Sequence, residues 1–246
     1  MKKNKIYHII IDNFKTLIGA LIIAIFIRSL LIQPFHIPSS SMEPTLLVGD
    51  RIFVTKYSYG YSKHSFPFSP NFSNKRFFSK KPKQGDLVVF KTPADNRTDY
   101  IKRLIGLPGD EIQFVNGNIF INGKKISREQ ISSQPIRCGN YILNTDTFIE
   151  TLPNGVKHFA SYKKEGTLKN TKLYRVPKNH YFLMGDNRDC SKDSRFLDEV
   201  GYVNQLNLVG KAQIIFFSND TIKGSLLKFW NLQNSMRLER TFMKLK

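Results

Sequence analysis

The amino-acid sequence predicts a mainly β protein preceded by one N-terminal transmembrane helix. An uncharged apolar run, LIGALIIAIFI, covers Leu17 to Ile27. Beyond residue 50, short apolar or alternating runs are bounded by Gly-Asp pairs, and two Asn-Gly dipeptides separate pairs of such runs. Runs of this kind are typical of β-strands, and Asn-Gly suits the type I′ turn of a hairpin. Between residues 50 and 220 the sequence shows no helical period of useful length.

The apolar run continues past Arg28 through Ser29 to Ile32, so the segment 14–33 approaches the roughly 20 residues that cross a bilayer. Arg28 lies near the far end, where a long side chain can reach the headgroups. The uncharged part alone also fits the apolar core of a cleavable signal peptide. However, no small-x-small site follows, because the next residues are QPFHI. We therefore predict a retained anchor.

The charges before the anchor predict its orientation. Lys2, Lys3, Lys5 and Lys15 precede the span, and an excess of lysine marks the cytoplasmic side of a membrane helix. Residues 1–13 are therefore expected in the cytoplasm of a single-pass protein. The rest of the chain is then expected on the outer face of the plasma (inner) membrane.

Composition separates few function classes. The formal net charge is +19 over 246 residues, which favours anionic partners such as nucleic acid or phospholipid headgroups. Solvated lysines of a Lys-rich background give the same total. Cys138 and Cys190, far apart in sequence, make neither a disulfide framework nor a four-ligand zinc site. They could pair in an oxidising compartment, but their spacing gives no reason to expect it, and we expect both to be free thiols.

Six regions of the chain carry strand patterns. They are residues 51–55, 87–90, 100–105, 111–115 with 118–121 around Asn116-Gly117, 148–152 with 156–162 around Asn154-Gly155, and 209–217. Residues 57–83 lack a period and predict a long loop. Its phenylalanines suit contact with lipid, stacking on nucleic-acid bases, or solvent. Residues 222–246 predict a basic amphipathic tail at a membrane surface.

A serine and a lysine supply the first candidate chemistry. Ser41 lies in IPSSSMEPTL, and a serine run between prolines is by itself only a loop. Lys102 lies within an apolar strand pattern and can point either way. If it points inward, desolvation lowers its pKa, so that the amine can be neutral near pH 7. A serine hydroxyl is a poor nucleophile until a base removes its proton, and a neutral lysine amine can be that base. One buried lysine is then an adequate base for one serine.

The run GDNRDCSKDSR, residues 185–195, alternates oxygen ligands as a calcium loop does. Counted from Asp189 as the first loop position, the sequence lacks the glycine expected at the sixth position. Val200 then stands at the twelfth position, where the bidentate glutamate is required. Its two arginines suit ion pairs better than a cation. We therefore predict no metal here and an Asp/Arg network that braces a site.

Five segments occur in the order found in one peptidase family: the anchor, IPSSSMEPTL, GDLVVF, YIKRLIGLPGD, and GDNRDCSKDSR followed by LVGKA. With them the chain resembles a bacterial type I signal peptidase (leader peptidase), a serine protease with a Ser–Lys dyad. The resemblance implies an antiparallel β-sheet catalytic domain over 34–110 and 178–221. It also implies a smaller β domain inserted at 111–177.

The resemblance implies a role for each matching residue. Ser41 is the expected nucleophile and Lys102 the expected general base, while Ser39 and the backbone N–H of Ser41 form the oxyanion hole. Ser191 matches the serine that hydrogen-bonds the lysine. Supporting ion-pair residues are expected at Asp186, Arg188, Asp193 and Arg195. Shallow apolar pockets that admit small substrate side chains are expected at Phe35, Ile37, Met42, Leu46, Tyr100 and Ile101.

The implied function is removal of N-terminal signal peptides from exported preproteins after a small-x-small site, without metal or cofactor. The expected partners are signal peptides and membrane phospholipid, with no nucleic acid. Two departures stand out: Ser40 replaces a usual glycine, and Cys190 replaces a more usual polar residue.

Three other functions compete with this one. A membrane-tethered polyanion binder suits the charge, but it gives no account of the paired serine and lysine motifs. A Ser–Lys peptidase with a narrower substrate, such as a pilus or conjugation precursor, fits the same motifs and stays open. A protein that binds signal sequences without cutting is disfavoured, because Ser41, Lys102 and Ser191 are intact.

Overall fold

The computed structural model describes residues 2–71, 73–220 and 235–245. Helix α1 (Lys2–Phe26) continues into a π-helical turn, Ile27–Leu31. Within it, Ile10–Leu31 has a mean hydropathy of 2.0 over 22 residues, enough by length and composition to cross a membrane. The helix begins earlier than the predicted 14–33 and ends earlier. Residues 32 and 33 belong to the first strand rather than to the anchor.

Most of the other described elements are short strands. In chain order the first seven are β1 (Ile32–His36), β2 (Asp50–Thr55), β3 (Leu87–Lys91), β4 (Asp99–Gly106), β5 (Glu111–Val115), β6 (Asn118–Ile121) and β7 (Lys124–Lys125). The next eight are β8 (Ser127–Cys138), β9 (Tyr141–Thr151), β10 (Lys157–Lys163), β11 (Tyr174–Arg175), β12 (His180–Met184), β13 (Val203–Asn204), β14 (Leu208–Ser218) and β15 (Met243–Lys244). Short 3-10 turns lie at Ser40–Met42, Lys63–Ser65, Arg188–Cys190, Gln205–Asn207 and Leu238–Arg240.

The strands form one large and two small antiparallel sheets. The large sheet has the order β1-β2-β14-β3-β4-β12-β13, with β15 beside β14. The small sheets are β10-β9-β8 and β11-β5-β6-β7. A mainly antiparallel β fold with one N-terminal apolar helix is thus confirmed, and no described residue between 50 and 220 is α-helical. Each predicted strand is present, whereas β1, β8, β12 and the two-residue strands β7, β11, β13 and β15 carried no predicted pattern.

The core lies on both faces of the large sheet. Leu87 and Val89 of β3 pack in one apolar cluster, and Val88 and Phe90 pack in another. Successive side chains of a strand point to opposite faces. Both faces of β3 are therefore buried, which is why its sequence is continuously apolar rather than alternating.

The inserted segment 111–177 forms the two small sheets and packs on the large one. Ile112, Phe114 and Ile119 of the small sheets share a buried cluster with Phe182 and Met184 of β12. The insertion and the large sheet therefore share a core.

The end of the apolar helix is fixed to the large sheet without a connecting loop. The backbone N–H of Lys56 donates to the carbonyl of Leu31 at 3.0 Å. The Tyr61 hydroxyl donates to the carbonyl of Leu30 at 2.9 Å. Two hydrogen bonds from residues that follow β2 therefore hold the last helical residues.

The predictions for the long loop, residues 57–83, and for the tail, residues 222–246, have different outcomes. The described part of 57–83 is a loop, with a 3-10 turn and one isolated bridge between Tyr61 and Phe77. In the tail, residues 221–234 lie outside the described residues. Residues 235–245 form a 3-10 turn and β15, and Leu245 packs against the core. This part is therefore not the predicted amphipathic helix.

The expectation of two free thiols was wrong, because Cys138 and Cys190 form a disulfide. Their sequence separation of 52 residues gave no sign of contact. The β8–β9 hairpin, whose first strand carried no predicted pattern, brings the two cysteines together. Cys138 ends β8, and the hairpin carries it to the 3-10 turn that contains Cys190.

Candidate active site

Ser41 lies in the 3-10 turn Ser40–Met42 and is largely buried. Fully buried Met42 anchors the turn in the core. Asn187 holds the turn from the other side: its N–H donates to the Ser41 carbonyl, and its Nδ2 donates to the Ser40 carbonyl, both at 3.1 Å. The sequence gave Asn187 no role, although it lies inside the predicted GDNRDCSKDSR motif.

Lys102 of β4 meets this turn. Its Nζ lies 2.6 Å from Ser41 Oγ, and the residue is 4% exposed. Burial lowers the pKa of Lys102 to about 8, with Arg195 adding to the effect, while Asp193 and Asp186 act in the opposite direction. No carboxylate of the described residues lies within ion-pair distance of the ammonium. A buried lysine without a counter-ion in contact releases its proton more readily than a solvated one.

The neighbouring serines differ in their contacts. Ser39 Oγ lies 3.3 Å from Ser41 Oγ and is exposed, as a donor to a substrate oxygen must be. Ser40 Oγ lies 3.3 Å from Cys190 Sγ, whereas Ser41 Oγ contacts the lysine. The backbone φ of Ser40 is not positive, so this position does not require the glycine that the family usually has.

Ser191 does not make the expected hydrogen bond to Lys102. Its hydroxyl is buried, has no hydrogen-bond partner of ordinary geometry among the described residues, and lies near enough to Asp193 to contribute to the low pKa of that carboxyl. Gly185 explains the tight packing here. A Cβ at this position would lie 2.3 Å from Ser191 Oγ and 2.5 Å from the Ser41 carbonyl oxygen. Only glycine lets this loop approach Ser41 so closely.

Asp193 and Arg195 form one buried ion pair, with Arg195 Nε 2.8 Å and Nη2 2.9 Å from the two carboxylate oxygens. The Gly185 N–H also donates to Asp193 at 2.9 Å. Burial alone would raise the pKa of Asp193, but the adjacent guanidinium outweighs it and holds the pKa low. The sequence placed these two residues in one pair, and the geometry brings them together.

Asp186 and Arg188 each have a partner elsewhere in the chain. Arg103 binds Asp186 through Nε and Nη2, both at 2.8 Å. Arg188 Nη2 lies 2.6 Å from Glu150 of β9. The sequence reasoning missed Arg103 and Glu150. The signal for Glu150 was present, since it is a carboxylate inside the apolar strand pattern 148–152.

His158 lies between these two pairs and is neutral. Its Nε2 is 3.7 Å from Glu150 and its Nδ1 is 3.9 Å from Asp186. Burial, and next the charge of Arg103, lower the pKa of His158 to about 4. At pH 7 the imidazole of His158 is therefore uncharged and lies between the Arg103–Asp186 and Arg188–Glu150 pairs.

A cavity of about 390 Å³ opens above Ser41 and Lys102. Four of the six predicted pocket residues line it: Phe35, Ile37, Tyr100 and Ile101. Met42 and Leu46 do not line it; both are fully buried in the core beneath. Among the described residues, no group of three or more His, Cys, Asp or Glu side chains could hold a metal ion.

Comparison with known proteins identifies the family of this chain. The family described as "Signal peptidase, peptidase S26" matches residues 10–217. The chain belongs to the signal peptidase S26 family. Signal peptidase I of Rickettsia typhi is 43% identical over 95% of this chain and 93% of its own length. Signal peptidase I of Rickettsia canadensis is 42% identical over the same shares.

One solved structure, a signal peptidase I from Enterococcus faecalis, is 29% identical. It covers 54% of this chain and 97% of its own, with a TM-score of 0.32. Membership of the S26 family, together with the matching relatives, makes the chain a serine endopeptidase of the signal peptidase I type.

Proposed function

We propose that the chain is a membrane-anchored enzyme that removes signal peptides from exported preproteins after a small-x-small site, with Ser41 as nucleophile and Lys102 as general base. The 2.6 Å contact between Lys102 Nζ and Ser41 Oγ, in a buried setting, carries the proposal. A base must lie within hydrogen-bond reach of the proton that it removes, and its pKa must lie near the working pH.

The chemistry is that of acyl transfer. Neutral Lys102 accepts the Ser41 proton while Oγ bonds to the scissile carbonyl carbon. The carbonyl oxygen becomes an oxyanion, to which Ser39 Oγ and the Ser41 N–H donate. The C–N bond then breaks as the Lys102 ammonium gives its proton to the leaving amine. Water, deprotonated by the same lysine, hydrolyses the ester and restores Ser41.

The substrate is expected to bind in an extended conformation. Segments 35–39 and 98–102 both line the cavity, although three strands separate β1 from β4 in the sheet. The sheet therefore curls and brings two chain edges to face each other. β12 pairs with β4 only from Arg103 onward, so residues 99–102 have an unpaired edge among the described strands. An extended peptide gains main-chain hydrogen bonds at such an edge.

The side chains around the cavity support the specificity. Phe35, Ile37 and Tyr100 narrow it beside Ser41, and large substrate side chains would collide with them. Helix α1 anchors the enzyme with residues 1–13 in the cytoplasm and the β domains on the outer face of the plasma membrane, following the lysines that precede the span. Signal peptides of preproteins and membrane phospholipid are the proposed partners.

The experiment is cleavage of a preprotein in detergent, with mass analysis of the product. Ser41→Ala and Lys102→Met are expected to lower activity by about 10⁴-fold or more while staying folded. Ser40→Ala is the matched control, because Ser40 Oγ contacts Cys190 and not Lys102. Lys192→Met controls for the lysine, since Lys192 also lines the cavity but is mostly exposed. Cleavage by both Ser41 and Lys102 variants would refute the assignment.

A further inference from the structure

A second cavity, here called the anchor-end cavity, lies where the helix meets the large sheet. Its volume is about 340 Å³, and its lining comes from the end of the helix, β1, Lys56 after β2, the loop residues 64–69, the β3–β4 connection with its flanking residues (91–99), and Val209 of β14. Four cationic side chains line it against a single carboxylate, Asp99. The cations are Arg28, Lys56, Lys91 and Arg97.

The protein itself compensates only one of these charges. Lys91 Nζ pairs with Asp99 at 2.9 Å. The side chains of Arg28 and Arg97 make no hydrogen bond or ion pair with any residue that the structure describes. The cavity therefore holds an excess of positive charge without a protein anion.

Lys56 is the most buried of the four cations. It is 2% exposed, and its ammonium donates to the carbonyl of Ser65, which satisfies one of its three protons. Burial, and next the repulsion of Arg28, lower its pKa to about 8, so the ammonium is still mostly charged at pH 7. A buried cation with unsatisfied donors beside two unpaired guanidinium groups is a recognition pattern for phosphate oxygens.

The position of the cavity decides which phosphate can reach it. The apolar segment Ile10–Leu31 has 22 residues, a length of roughly 33 Å at helical rise, close to the thickness of the bilayer core. Arg28 lies in the last turn of this segment and thus at headgroup level. Phe68, whose ring is fully exposed, lines the same cavity, and an apolar ring at this level suits the lipid interface.

We propose that the anchor-end cavity binds the phosphate of an anionic phospholipid, held by Arg28, Lys56 and Arg97. The inference rests on the membrane anchor of the proposed function but not on its chemistry. Phe35 and Asp99 line both this cavity and the catalytic one. The bound lipid therefore lies beside the substrate site.

The test measures lipid retention by native mass spectrometry on the full chain carrying Ser41→Ala, so that binding is read independently of catalysis. Phosphatidylglycerol is expected to bind at least fivefold more tightly than phosphatidylcholine. Arg28→Gln is expected to weaken phosphatidylglycerol binding about fivefold. Arg28 is exposed and unpaired, so this change leaves the fold intact. Lys56→Met, checked by thermal unfolding, is the second site variant.

Lys80→Gln is the matched control. It removes the same charge as Arg28→Gln, but Lys80 is exposed and does not line the cavity. An equal loss with Lys80→Gln and Arg28→Gln would overturn the proposal in favour of general surface attraction. Equal binding of the two lipids would also overturn it.

Inorganic phosphate is added as a competitor in millimolar excess. The lipid is expected to stay bound; full displacement would assign the cavity to a soluble anion and overturn the lipid. The two proposals fail separately. If wild type cuts no preprotein while this binding is found, the proposed function fails and the lipid site stands.

Discussion

Lys102 and Arg103 are neighbours on one strand, both are buried, and their charges meet opposite surroundings. The Lys102 ammonium contacts the Ser41 hydroxyl and the face of the Tyr100 ring, and burial lowers its pKa to about 8. Arg103 is bound through two nitrogens by Asp186. Strand alternation sends the first side chain to the cavity and the second into the ion-pair network. On one β-strand, Lys102 is thus buried without a carboxylate in contact, while the next residue, Arg103, is paired with Asp186.

The difference teaches what each region requires. A base must be able to lose its charge, so burial without a counter-ion is useful at Lys102. The loops that hold Ser41 must keep one geometry. Buried ion pairs with several hydrogen bonds supply that, because breaking any of them leaves an uncompensated charge. Three tests separate the two regions further.

The largest effect is expected from the network. Glu150→Gln leaves the buried Arg188 guanidinium without its counter-ion and should lower the free energy of unfolding by about 3–5 kcal/mol. Glu111→Gln is the control, because its pair with Arg175 is exposed and worth at most about 1 kcal/mol. Chemical denaturation measures both. Equal losses would show that burial does not set the strength of these pairs.

The next effect is expected from the link between the regions. Replacing both Cys138 and Cys190 by serine removes the tie between the β8–β9 hairpin and the loop beside Ser41. The free energy of unfolding should fall by about 2–4 kcal/mol, measured against wild type in the oxidised state. Reduced wild type serves as the internal control and should resemble the double variant. Unchanged stability in both would show that the hairpin stays in place without the bond.

The third effect concerns the rate of cleavage and the base itself. The pKa of Lys102 is lowered from its ordinary value to about 8, so the neutral, active form is lost as pH falls below that value. Activity should rise about tenfold per pH unit between about pH 5 and 7 and level off above about pH 8. Initial rates of preprotein cleavage give this profile. A flat profile across the range would remove Lys102 from the role of base.

Much of this molecule follows from local sequence pattern. The apolar runs and Asn-Gly turns located their strands, since alternation and turn residues act over a few positions. Strand β8, SREQISSQPIRC, escaped because only Ile136 of its side chains is fully buried. A strand with two largely exposed faces carries no apolar period to detect.

Only those residues of the candidate site that lie in the sequence motifs could be predicted. Ser41 and Lys102 were placed by resemblance, and the structure brings them into contact. Arg103, Glu150 and the disulfide depend on tertiary contacts between segments far apart along the chain, with separations of 83, 38 and 52 residues respectively. Such pairings are set by how sheets pack, which no local pattern records.

The junction between helix α1 and the large sheet is short. The carbonyls of Leu30 and Leu31 accept hydrogen bonds from Tyr61 and Lys56, which follow β2, and β1 begins directly after the π-helical turn. With helix α1 as the proposed membrane anchor, this junction limits how far Ser41 can lie from the membrane surface. The cleavage point in a substrate is then set partly by its distance from the end of the substrate's own apolar helix, and not only by the fit of small side chains.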